Sequence, residues 1–139
     1  MVLSLKGPDK RPASLYDNSV RYEDFFIKEF IPYIESTYRV RLGKQYRGVA
    51  GLSMGGFGAL IYTLRHPEMF TACAAFSSAI FTDEETTTKS EERWAQLESG
   101  VYGPGLKGTD RLTAHYKSYN PIYIIQKATP EQFKNIRRR

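Results

Sequence analysis

Residues 51–56 read GLSMGG, and FGALIYTLRHPEMF follows directly behind them. The stretch just before, YRGVAGLS, is short, with Val49, Ala50 and Leu52 apolar, and fits a buried strand. From 54 to 65, MGGFGALIYTLR, the apolar spacing becomes helical and puts Phe57, Leu60, Ile61 and Leu64 on one face. His66-Pro67 ends that helix, because the residue before a proline avoids the helical region. Ser53 therefore stands in a sharp turn between a strand and a helix. Gly51-Leu52-Ser53-Met54-Gly55 has the G-x-S-x-G spacing of a nucleophile elbow. In such a turn, side chains two residues before and two after the serine collide, so glycine is needed at 51 and 55. Gly56 lets the helix begin close to the strand. The N-terminus of that helix offers backbone N–H groups and the positive end of a dipole, and the Met54 N–H faces the position of an oxyanion on Ser53.

Working outward, FTACAAFSSAIF at 70–81 reads as a second buried strand. Upstream, RYEDFFIKEFIPYIESTYRV repeats apolar residues every four positions: Phe26, Phe30 and Ile34, with Ile27 and Ile31 beside them. This predicts an amphipathic helix from about 22 to 38, kinked or divided at Pro32. Glu23 and Asp24 suit its N-terminal dipole. The order helix, strand, turn, helix, strand predicts an α/β fold with a parallel sheet. Residues 7–20, GPDKRPASLYDNSV, read as an irregular lead-in. TDEETTTKSEERWAQLESG begins polar and becomes a short helix around 90–98, with Thr88 and Glu91 as its expected capping box. VYGPGLKGTD is a glycine-rich loop without the spacing of a phosphate-binding loop. Thr129, Pro130 and Gln132 predict the capped start of a last helix.

Composition narrows the function classes. With 139 residues, 41% hydrophobic, the chain is long enough for one packed domain. Its net charge of +5 is concentrated in KGPDKR and the terminal RRR, and the middle mixes both signs, which argues against nucleic acid as a partner. The single cysteine, Cys73, excludes an intrachain disulfide and is expected as a small buried hydrophobe. Two histidines and one cysteine are too few for a thiolate–imidazole metal site. MVLSLKGPDK lacks the apolar stretch of a signal peptide, and no run is long enough to span a bilayer. The chain reads as soluble and unexported, with no membrane partner.

Three stretches together, YEDFFIKEFIPYIESTYRV, YRGVAGLSMGGFGALIYTLRHPEMF and AAFSSAIF, resemble the esterase D-like branch of the α/β-hydrolases. The similarity covers roughly residues 16–82, and a looser one runs through YNPIYIIQKATPEQFKNIRRR. That branch includes feruloyl and acetylxylan esterases, S-formylglutathione hydrolase, siderophore esterases and mycolyltransferases, and bacterial feruloyl-esterase-like enzymes are the nearest match. The resemblance implies a partial α/β-hydrolase fold, a single incomplete domain over 1–139 with 83–120 as a loop or lid-like insertion. It implies a serine carboxylic-ester hydrolase that releases feruloyl or acetyl groups from carbohydrate esters without cofactor or metal. Ser53 carries over as nucleophile and Met54 as a backbone oxyanion donor. The family order is Ser, Asp, His, and its acid and base correspond to positions outside this sequence, as do its first strands. Family members that act on polysaccharide are often exported, which nothing in this sequence encodes.

Other readings stand beside this one. A local order of Ser53, then Asp83 or Asp110, then His115, is formally that of a triad, although Asp83 reads as part of a solvated loop. His66 reads as a structural cap, since roughly 18 Å of helix separates it from Ser53. Trp94 either stacks on a feruloyl ring or anchors its segment by packing. A non-catalytic alternative is an inactive fragment that acts by self-association, or by pairing with another chain, through exposed sheet edges.

Overall fold

The computed structural model of the chain describes residues 22–137; the lead-in at 7–20 and the last two arginines lie outside them. Helical backbone runs first through α1 (Tyr22–Asp24), a π-helix (Phe25–Phe30) and α2 (Ile31–Thr37). The expected break at Pro32 takes a different form. Phe30 and Ile31 keep helical dihedrals, and the ladder widens instead, so that the Ile31 N–H bonds to the Phe26 carbonyl five residues back. Pro32 has no N–H to donate and its ring crowds the carbonyl four residues before it, and a wider turn relieves both problems. The predicted apolar stripe is the one that packs, with Phe26 and Ile31 buried and Ile27 and Phe30 against the core. Glu23 does more than face a helix dipole. Its Oε1 accepts from Arg65 Nε at 2.8 Å and lies 2.7 Å from His66 Nε2, tying this helix to the far end of α3.

A βαβ unit follows: β1 (Gly48–Leu52), α3 (Met54–Arg65) and β2 (Ala72–Phe76). The strands pair in parallel, with Gly48 opposite Ala72 and Leu52 opposite Phe76. The parallel α/β arrangement read from the alternating apolar periods is present, and α3 spans the residues anticipated for it. On α3, Phe57 and Ile61 are buried as expected, while Tyr62 is buried in place of Leu60 and Leu64. Burial, with Glu23 nearby, pushes the Tyr62 hydroxyl up to about 12.

The strands are less buried than their apolar sequences suggest. Leu52 is 67% and Phe76 60% exposed, and Cys73 is exposed rather than a buried hydrophobe. Among the described residues each strand has one neighbour only, so the second edge of each is unpaired. A strand with apolar residues on both faces is buried only when neighbouring strands and helices cover it.

The second half is helical: α4 (Asp83–Thr88), α5 (Glu91–Leu97), α6 (Ser99–Tyr102), a 3-10 turn (Gly108–Arg111), α7 (Ala114–Tyr119), α8 (Pro121–Lys127) and α9 (Pro130–Arg137). Residues 83–120, expected as a loop or lid-like insertion, thus form short helices that supply Trp94, Tyr102 and Tyr116 to the main core. The capping box lies at Thr82–Glu85, and α5 starts on the Ser90 hydroxyl, which accepts from the Arg93 N–H. Thr88, the expected cap, bonds back to the Glu84 carbonyl inside α4 instead. The box predicted for the last helix is formed: Thr129 N–H donates to Gln132 Oε1, and Gln132 N–H to Thr129 Oγ1.

Candidate active site

Ser53 follows the last residue of β1 and caps α3, with φ 55° and ψ −117°. A non-glycine residue in this region is strained, and the surrounding backbone holds it there. Its N–H donates to the Phe76 carbonyl at 2.9 Å and its own carbonyl accepts from Phe57 N–H at 3.0 Å. The glycines around it have a spatial reason. A Cβ on Gly51 would lie 2.1 Å from the Gly55 carbonyl oxygen, so strand and helix touch backbone to backbone at this point. A Cβ on Gly56 would meet Ser78 Oγ at 2.5 Å and the Phe76 carbonyl oxygen at 3.0 Å. Larger residues at 51 or 56 would push the helix away and open the turn.

The result is an exposed serine at the tip of a tight strand-to-helix turn. Its hydroxyl has no hydrogen-bond partner among the described residues. Met54 is the first residue of α3, and its N–H belongs to the turn that no intrahelical carbonyl can satisfy. Such N–H groups, at the positive end of a helix, attract negative charge.

The other residues considered from the sequence lie in different surroundings. Asp83 Oδ2 accepts from the Tyr123 hydroxyl at 2.5 Å, which pushes that phenol up to about 12. Asp83 is the first residue of α4 rather than part of a solvated loop. The His115 ring donates from Nε2 to the Val101 carbonyl at 2.9 Å and packs against Tyr102 and Tyr119. Asp110 is exposed in the 3-10 turn. None of the three bonds to Ser53, so the structure does not assemble the local Ser–Asp–His order. His66 closes α3, its N–H donating to Tyr62 O, in keeping with its reading as a cap.

Of the two readings of Trp94, the substrate-binding one is not supported and the packing one fits. It is 2% exposed, its Nε1 donates to the Gly103 carbonyl at 3.1 Å, and the Arg111 guanidinium lies 4.7 Å from its ring centroid. A ring enclosed this way has no open face for a feruloyl group, so Trp94 is an anchor of the helical half. The metal expectation has a narrower counterpart: among the described residues no three His, Cys, Asp or Glu side chains group to hold an ion. Likewise no described helix is long and apolar enough to cross a membrane.

One feature of the site was not singled out in the sequence. Ser77 has φ 43° and, with Ser53, is one of the two non-glycine residues at positive φ among those described. Next to it, Ser78 Oγ is buried and has no hydrogen-bond partner among the described residues. The signal available was the pair of serines that interrupts the apolar run ACAAF.

Known proteins carry the same framework. The model of the family described as "Putative esterase" matches residues 5–132. The chain belongs to this family. Esterase Rv1288 and Esterase MT1326 of Mycobacterium tuberculosis are each 32% identical to it over 133 residues, which is 85% of this chain and 28% of theirs. An endo-1,4-beta-xylanase/feruloyl esterase of Xylanibacter ruminicola is 39% identical over 64 residues, 46% of this chain and 9% of that protein. Among solved structures, a ferulic acid esterase superposes with a TM-score of 0.56 at 29% identity, over 82% of this chain and 38% of that one. The fluorophosphonate-binding serine hydrolase FphF of Staphylococcus aureus superposes with a TM-score of 0.60 at 21% identity, a likeness of fold, over 85% of this chain and 44% of that one. This esterase-family chain has a partial α/β-hydrolase fold, and it spans less than a third of the mycobacterial relatives' length.

Proposed function

We propose that this esterase-family chain carries the nucleophile of a serine carboxylic-ester hydrolase acting on feruloyl or acetyl groups esterified to carbohydrate. The observation that carries the reading is the backbone of Ser53, strained at φ 55° in a strand-to-helix turn that only glycine at 51 permits. In the proposed reaction Ser53 Oγ bonds to the ester carbonyl carbon while a histidine takes its proton. The tetrahedral oxyanion turns toward the Met54 N–H, where a preorganised donor favours the charge. Collapse breaks the bond to the alcohol, which leaves with the proton held by the histidine. Water, deprotonated by the same histidine, then releases the acid and restores Ser53. With His115 bonded to Val101 and His66 beside Glu23, acid and base are assigned to residues outside this sequence. The reaction calls for neither cofactor nor metal. The substrate class is supported by the names of two relatives, a xylanase/feruloyl esterase and a ferulic acid esterase. S-formylglutathione or siderophore esters are the other substrates that the sequence resemblance brings forward.

The test is hydrolysis of methyl ferulate and of acetylated xylo-oligosaccharide by the protein as its gene encodes it, beside Ser53→Ala. The expected result is turnover of at least one ester, reduced on the order of a thousandfold or more in the variant. Equal turnover by both proteins would remove Ser53 from the reaction. A second reading, action by self-association or pairing with another chain, is favoured by the exposure of Leu52 and Phe76 on the two strands. It predicts a concentration-dependent dimer in sedimentation that is lost on Phe76→Glu.

A further inference from the structure

Ser77 stands one residue beyond the last register pair, Leu52 with Phe76, so its backbone lies beside that of Ser53 just past the end of the sheet. Neighbouring strands lie about 4.8 Å apart, which puts the two serine backbones within a side chain's reach of each other. Hydrogen bonds clamp the elbow to this segment on both sides of Ser77: Ser53 N–H donates to the Phe76 carbonyl, and Ala79 N–H donates to the Ser53 carbonyl at 3.4 Å. The two serines that follow β2 differ in placement. Ser78 is turned inward, its buried Oγ 2.5 Å from where a Cβ on Gly56 would be. Ser77 is exposed, as Ser53 is.

The backbone at 77 makes the residue type informative. At φ 43° a glycine sits without the steric cost that any side chain brings. The chain nevertheless holds a serine there, and strained residues of this kind gather at functional sites. Ser77 is thus held against its backbone preference, exposed, and next to the proposed nucleophile in the sheet register. We infer that Ser77 is a specificity residue, whose hydroxyl hydrogen-bonds a polar group of the ester substrate next to the carbonyl attacked by Ser53. The inference rests on the reading of Ser53 as nucleophile. The ligand chemistry is an ester whose alcohol side carries free hydroxyls, as in a sugar, because one hydroxyl can both donate and accept.

The experiment compares wild type, Ser53→Ala, Ser77→Gly and Ser77→Asn, each as the full gene product, on two acetates. One is acetylated xylo-oligosaccharide and the other 4-nitrophenyl acetate, which has no hydroxyl beside its ester. Ser77→Gly keeps the backbone conformation and relieves its strain, so its melting temperature is expected to equal or exceed that of wild type. Its kcat/KM on the sugar ester should fall roughly three- to tenfold, the loss of one neutral hydrogen bond, with 4-nitrophenyl acetate unaffected. Ser77→Asn, which tolerates the same backbone and keeps a hydrogen-bonding tip, should recover part of the loss. No change on either ester, or an equal loss on both, with Ser53→Ala inactive, overturns the role of Ser77 and leaves Ser53 in place. An active Ser53→Ala overturns both.

Discussion

The βαβ unit and the helical half behind it hold their conformations by different means. Around Ser53 the structure is decided by backbone: a contact of Gly51 with the Gly55 carbonyl so close that a Cβ on Gly51 would lie 2.1 Å from its oxygen, a serine at φ 55° and backbone hydrogen bonds between the elbow and the end of β2. Few side chains are needed there, and Leu52 and Phe76 stay exposed. Between residues 82 and 120 the structure is decided by side chains. Trp94, Arg111, Tyr116 and Thr86 are the largest fully buried ones among the described residues, and the polar atoms they carry find partners in the surrounding backbone and side chains. Arg111 donates to the Leu106, Thr86 and Lys89 carbonyls, and Tyr116 meets Thr86 and Asn120. Lys89 and Glu98 form a buried ion pair beside them. Strain can be stored in the first region because packing in the second holds the molecule together.

If that division is right, substitutions in the two regions should fail in opposite ways. Gly51→Ala is expected to have the largest effect, about 4 kcal/mol or more, because the new methyl would overlap the Gly55 carbonyl and the strand and helix cannot both stay in place. Chemical denaturation measures it, and a loss under about 1 kcal/mol would mean that the turn is looser than described. Trp94→Ala should cost about 3–5 kcal/mol by leaving a cavity under Arg111. Once allowance is made for the unfolded fraction, it should leave the reactivity of Ser53 unchanged. Ser53→Gly should act in the reverse sense, stabilising by about 1 kcal/mol as the strain is released while abolishing reaction with an organophosphorus probe.

The smallest effect concerns pH. The bond to Asp83 holds the Tyr123 phenol at about 12 against an ordinary 10. A folded-state value raised above the unfolded one gives stability that is complete below pH 10 and is lost as pH rises toward 12. Tyr123→Phe should therefore be less stable than wild type at pH 8, with the gap closing between pH 10 and 12 in urea titrations. A gap that stayed constant would mean that the Asp83 bond does not govern this tyrosine.

The same division explains what was legible in the sequence. The elbow was legible because its cause is local: glycines on either side of a serine, where a strand period changes to a helical one. The Thr129–Gln132 box was legible for the same reason. The spacing of threonine and glutamate fits both Thr82–Glu85 and Thr88–Glu91, and the sequence reading took the second. The structure uses the first, because Ser90 is available to start the next helix. The burial of Arg111 was not legible, since a charged residue becomes a core residue only when distant carbonyls converge on it. Trp94 was visible as an aromatic in the right segment, but whether its faces were open depended on Arg111. The exposure of β1 and β2 ran against their composition, because burial of a strand is decided by its neighbours.

The backbone strain at Ser53 is proposed to mark an activated nucleophile. Intact-mass analysis of the full gene product after incubation with a fluorophosphonate tests it most directly, with Ser53→Ala alongside. A single adduct is expected, mapping to the peptide that contains Ser53 and absent from the variant. An unmodified wild-type protein, or an adduct that persists in Ser53→Ala, would contradict it.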